Sequence, residues 1–158
     1  MYSIRQFFAD RMSTVNSTNG DDAKDEAEAQ RQKLHVAACA LLLEIAYADD
    51  HFNESERTHI EAVMQRHFGL DEETAAALIE MAQAERAQAI DLYQFTSLIR
   101  ESYDLGQKTL LAEIMWGLVL TDGEVQRHES YMLRKIANLL DVEPGYLASA
   151  RKRAEEDS

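Results

Sequence analysis

Two carboxylates seven residues apart occur twice in the chain, Asp49 with Glu56 and Asp122 with Glu129. Each Asp stands where one helix should end, and each Glu lies in the first turn of the next. Helix ends are places where carboxylates converge, because the chain reverses there. Four such groups form an oxygen donor set suited to a hard divalent cation, Ca²⁺, Mg²⁺ or Mn²⁺ ahead of Zn²⁺. Left without a cation they would repel one another unless some bound protons. Asp50 adds a further possible ligand. A plainer reading fits the same residues. Glu56 and Glu129 occupy the third helical position, where an acidic side chain supports the cap and the helix dipole, and the two Asp residues then only terminate helices. The metal reading gains from one asymmetry: both copies keep the Asp, while only one has a good cap residue, Asn53 against Gln126.

Other site chemistries fit less well. DGEVQRHE resembles the second half of an EF-hand loop, with Gly123, Val125 and Glu129 at the turn, the apolar position and the final carboxylate. The first half is missing, because Leu118 and Leu120, and Ile45 and Tyr47 in the other copy, stand where the first two oxygen ligands belong. Glu56-x-x-His59 has the spacing that di-iron carboxylate bundles use twice. Here Met132 takes the matching position after Glu129, so the pair occurs once. His35, His51, His67 and His128 show no paired ligand spacing, although His51 and His128 lie beside the two turns. No glycine-rich phosphate loop, activated serine elbow or CxxC is present, so catalysis has no evident home and the chain reads as a non-enzyme.

The elements that must hold the two turns are helices. Leu34, Ala38, Leu41, Leu42 and Ile45 recur every three or four residues over about 31 to 48, the stripe of a core-facing helix. A second helix starts after Asn53, with Glu56 completing a capping-box pattern, and ends before Gly69. Asp71 caps a third, and Asp91 with Gln94 starts a fourth. Gly106 reads as an interruption before a helix of roughly 107 to 121 that carries Leu110, Ile114, Met115, Trp116 and Leu118. Further helices follow over about 126 to 140 and after Pro144, which suits a first helical position. Ahead of all this, MYSIRQFFADRM sets Ile4, Phe7 and Phe8 at helical spacing, able to dock on the body or on a partner. Residues 13 to 30 read as a polar, acidic linker fading into a helix. The expected organisation is therefore an N-terminal segment and linker over 1 to 30 and a helical domain over 31 to 158.

LEIAYADDHFNESERTHIEAV (43 to 63) aligns with WGLVLTDGEVQRHESYMLRKI (116 to 136) at an offset of 73, placing Ile60 and Val63 on Leu133 and Ile136. After one deletion, Phe68, Leu70 and Asp71 fall on Leu140, Val142 and Glu143. The chain is thus expected to be all-α, a bundle with a pseudo-twofold repeat of one helix-turn-helix unit.

Composition supports this. Of 158 residues 46% are apolar, with one proline and six glycines. Lys and Arg total 16 against 29 Asp and Glu, a formal charge of −13 that disfavours nucleic acid and anionic membrane and favours cations and basic protein surfaces. The one cysteine, Cys39, lies in an apolar run and reads as buried, which fits a reducing, cytoplasmic setting. No stretch reaches about 18 uncharged apolar residues, so no membrane span is expected.

The succession LLLEIAYADD, NESERTHIEAVM, FGLDEETAAALI, IDLYQFTSLI and EIMWGLVLTDGEVQRHE resembles the TerB family, bacterial proteins associated with tellurite resistance and a wider stress response. The likeness covers roughly residues 31 to 153. It implies a TerB-like helical bundle, an acidic metal-binding cluster, and a sensing or scaffolding role beside another protein of a stress-response complex. The family's Asp-Gly and following Glu fall on Asp122, Gly123 and Glu129, and on Asp49 and Glu56; Asp50 replaces the glycine in the first copy. The competing expectation is a metal-free protein interaction module whose acidic turn residues only cap helices. A third, reduction of tellurium oxyanions, is opposed by the single cysteine and the negative field.

Overall fold

The computed structural model describes residues 19–48, 53–121 and 127–157. Seven helices make up these residues: α1 (Asn19–Ala46), α2 (Glu54–Phe68), α3 (Glu72–Gln88), α4 (Tyr93–Ser102), α5 (Leu105–Val119), α6 (Arg127–Leu139) and α7 (Pro144–Asp157). No strand occurs among them, and the described helices include none long and apolar enough to cross a membrane.

Local chemistry sets most of the boundaries. The Asn53 side chain accepts from the Glu56 amide at 2.8 Å, and Gly69, at φ 67°, ends α2 with its own N–H returned to the Met64 carbonyl. Asp71 accepts from the Thr74 amide at 2.7 Å and opens α3. Pro144 takes the first position of α7, where the N–H it lacks would have had no helical partner. The C-terminus of α6 repeats that of α2. Asp141 adopts φ 63°, and the Val142 amide returns to the Ala137 carbonyl at 2.9 Å, as the Leu70 amide returns to Met64. The aligned positions 69 and 141 thus share a left-handed cap, with glycine in one copy and aspartate in the other.

Three expectations change. Residues 19 to 30, read as linker, belong to α1, because Ala23, Ala27 and Ala29 among Lys, Glu and Gln are strong helix formers; residues 1 to 18 lie outside the described residues. Gly106 does not interrupt: it sits in the first turn of α5, started by a reciprocal box in which Asp104 accepts from the Gln107 amide at 2.8 Å and Gln107 accepts from the Asp104 amide at 2.9 Å. Asp91 does not cap the third residue of α4. Leu92 is already in helical conformation, and the Asp91 carboxylate accepts from the Tyr93 amide at 2.9 Å instead. Of the apolar residues named on the fifth helix, Leu110 is 42% exposed while Ile114, Met115, Trp116 and Leu118 are buried.

α1 is the axis of the molecule and packs against α2, α3, α4, α5 and α6. Its C-terminal half is buried all round: from Val36 to Ala46 only Glu44 reaches the surface in part. The stripe read from the sequence marked one face of this helix, whereas neighbours on every side cover the others. Ala37, Ala38, Cys39 and Ala40 keep its girth small enough for that. Glu44 forms an ion pair with Arg86 of α3 at 2.7 Å, and the same guanidinium lies 4.3 Å over the Tyr47 ring. α5 packs on α7, where Arg151 stacks 4.9 Å from the Trp116 ring and Arg153 meets Glu113 at 3.2 Å.

Candidate metal centre

The two acidic segments lie in sequence between α1 and α2 and between α5 and α6. Asp49, Asp50 and Asp122 lie outside the described residues, as do His51 and Gly123. The two glutamates of the candidate set are described. Glu56 is the third residue of α2, its backbone fixed by the Asn53 cap, and its side chain is 3% exposed. Glu129 is the third residue of α6 and is 5% exposed.

That burial distinguishes them. Among the described residues the buried polar and charged side chains are Gln32, Glu56, Thr96 and Glu129, so the buried acids are the two singled out by spacing. A glutamate that only supports a helix start has no need of burial. Gln107 occupies the same third position in α5, completes a capping box, and is exposed; Glu72 and Glu73 in the first turn of α3 are exposed as well. A carboxylate withdrawn from water is costly unless hydrogen bonds, an opposite charge or a metal compensate it. In sequence, Glu56 follows the segment with Asp49 and Asp50, and Glu129 follows the segment with Asp122; carboxylate oxygens are the donors a hard cation takes. Among the described residues alone, no group of three or more His, Cys, Asp and Glu side chains forms a ligand cluster.

The histidines fall elsewhere. His59 is half-buried, and a Cβ built on Gly117 of α5 would lie 3.8 Å from its Nε2. Burial holds its pKa below the ordinary 6.5. His35 packs edge-on against Phe68, with ring centres 4.8 Å apart, and burial, then the charge of Arg31, holds its pKa down as well. His128, beside the second turn, is exposed. Cys39 is fully buried, and desolvation pushes its thiol up to about 12, which leaves no thiolate for redox chemistry near neutral pH.

Sequence reasoning missed two adjoining clefts along α5. One, of about 420 Å³, runs between α1 and α5 and is lined by Leu34, His35, Phe68 and Tyr103; the other, of about 350 Å³, lies by His59 and Arg66. His67, Leu110 and Ile114 line both. The signal was present in the surplus apolar positions of α5, more than one stripe can bury, but periodicity does not say which of them a neighbour covers.

A family model described as Tellurite resistance protein TerB matches residues 35–152. Comparison with curated proteins and with solved structures gives no match.

Proposed function

The chain belongs to the TerB family, and from that premise we propose that it is a non-catalytic divalent-metal-binding protein acting as a sensor or scaffold in the stress response. Family membership suggests a role related to tellurite resistance. In this reading Asp49, Glu56, Asp122 and Glu129 hold a hard cation, Asp50 is a further donor, and Ca²⁺, Mg²⁺ or Mn²⁺ is preferred to Zn²⁺. The observation that carries it is the burial of Glu56 and Glu129, each in the first helical turn after an acidic segment. A bound cation would supply the positive charge that lets four carboxylates share one place. The chain's own contribution is to aim them: the Asn53 cap fixes the start of α2, and the buried faces of α2 and α6 hold the two glutamates inward. A second protein of the stress response would then read the state of the turns.

The test is a set of thermal melts of EDTA-treated protein with Ca²⁺, Mg²⁺, Mn²⁺ or Zn²⁺, for the wild type, Asp49→Asn/Asp122→Asn and Glu56→Gln/Glu129→Gln. A cation at about 100 times its Kd adds roughly 2.7 kcal/mol, or roughly 5 to 10 °C in a domain of this size. The expected result is a rise of that order with one hard cation, lost in both variants. No rise with any cation would sink the metal reading. It would favour instead a metal-free interaction module, for which the fully exposed Ile90 at the α3–α4 connection, beside exposed Tyr93, offers an apolar contact.

A further inference from the structure

The clefts that flank α5 form one apolar groove with no described element over it. Its floor combines Leu34 of α1, Phe68 of α2 and Leu110, Leu111 and Ile114 of α5, and its rim is polar, with Gln30, Arg31 and Gln107. Leu110 stands 42% exposed at the junction of the two clefts, in a helix whose other large apolar side chains beyond the first turn are buried. A cavity of about 150 Å³ holds a benzene ring. At about 420 Å³ the larger cleft alone therefore has room for two phenyl rings and part of an aliphatic side chain.

The chain ahead of α1 carries such a set. Ile4, Phe7 and Phe8 recur at helical spacing, and the stretch to residue 18 holds Arg5 and Arg11 against one acid, Asp10, in a protein of net charge −13. Its attachment point is favourable as well. α1 begins at Asn19 and itself lines the groove from Ala27 to His35. Leu34 lies roughly 22 Å along the helix axis from that start. The eleven residues from Phe8 to Asn19 span up to roughly 36 Å when extended, enough to turn back through Ser13, Asn16 and Ser17 and reach the groove. A tether of that length keeps the segment at an effective concentration on the order of millimolar, well above any free competitor.

We propose that residues 4 to 8 fold back on the body of their own molecule, seating Ile4, Phe7 and Phe8 in the groove between α1, the end of α2 and α5. The inference is independent of the metal reading, and its test is run in metal-free buffer. Full-length, isotope-labelled protein is examined by NMR at two concentrations about tenfold apart, beside Leu110→Asp and Phe7→Ser/Phe8→Ser. The expected result is a set of contacts from the Phe7 and Phe8 rings to the methyls of Leu34, Leu110 and Ile114, unchanged on dilution and lost in Leu110→Asp. Leu110 is half-exposed and the core methyls of Leu41 and Ile60 report on folding, so a merely unfolded variant would be recognised. Trypsin cleavage after Arg5, which lies within the docked stretch and so follows the population of the undocked form, should be faster by roughly tenfold or more in Phe7→Ser/Phe8→Ser. Random-coil shifts at Ile4, Phe7 and Phe8 in the wild type would overturn the proposal. Contacts that appear only at the higher concentration with a doubled mass would also overturn it, assigning the groove to a second copy of the chain.

Discussion

Glu56 and Glu129 share their sequence position, third in a helix, with side chains such as Gln107 that stay in water, and what separates them is burial. An exposed residue at that position contributes through the cap and the dipole, typically by less than about 1 kcal/mol. A buried carboxylate instead costs free energy that its surroundings must offset, and in the proposed function a divalent cation contributes to that offset. Metal-dependent stabilisation should therefore fall in Glu56→Gln and stay unchanged in Glu54→Gln, two helical neighbours that differ in burial; equal melts for the two would remove burial as the deciding property. Cys39 shows the opposite use of burial. Its thiol, pushed up to about 12 by desolvation, should not react with a thiol reagent in the native protein and should react fully once denatured. Rapid labelling of native protein would contradict its burial.

At the scale of elements, the ends of α2 and α6 solve one problem with different residues. Both need a left-handed residue, at φ 67° and φ 63°, and α2 has glycine where α6 has Asp141. A non-glycine residue in that region costs roughly 1 kcal/mol, less for Asp than for most. Asp141→Gly should therefore raise stability by about 0.5 to 1 kcal/mol, and Gly69→Ala should lower it by about 1 kcal/mol. Nothing lies within 4 Å of a Cβ built on Gly69, so the loss there would come from the backbone alone. Chemical denaturation reads both, and a change of opposite sign at either position would show that the cap is not as described. The helix starts were legible for the same reason as the stops. Asn53 and Asp71 accept from amides three residues on, and Pro144 fixes its own backbone angle, so local sequence suffices. Asp91 was misread because Leu92 had already turned helical, a backbone angle that residue type does not reveal.

At the scale of the whole molecule, two histidines, one in α1 and one in α2, link stability to pH. His35 and His59 are both held below the ordinary value of 6.5, chiefly by burial. A folded-state pKa below the unfolded one means that the unfolded chain binds the extra proton first. Stability is then full above about pH 6.5, falls as pH drops below it, and levels off beneath the folded pKa values. Melts at about pH 7.5 and about pH 5.5 should differ, and the difference should shrink in His35→Gln/His59→Gln; an unchanged difference would assign it to other groups. Asp71 acts in a separate window. Hydrogen bonds from the Thr74 backbone and side chain hold its pKa below 3.8, so the stability it adds is present above that value and is lost only as pH falls through its lower folded value.

The sequence alone determined the helical class, the helix ends set by Asn53, Gly69, Asp71 and Pro144, and the choice of Glu56 and Glu129 as residues worth locating. Each of those rests on chemistry acting within one turn of helix, which a linear pattern records. Tertiary structure decided that the C-terminal half of α1 is covered on every face, that Leu110 faces a groove, and that two glutamates among many are withdrawn from water. Those outcomes depend on which distant helix arrives at each surface. α1 packs against α6, which lies far along the chain from it, and an apolar stripe states that a face must be covered without naming what covers it.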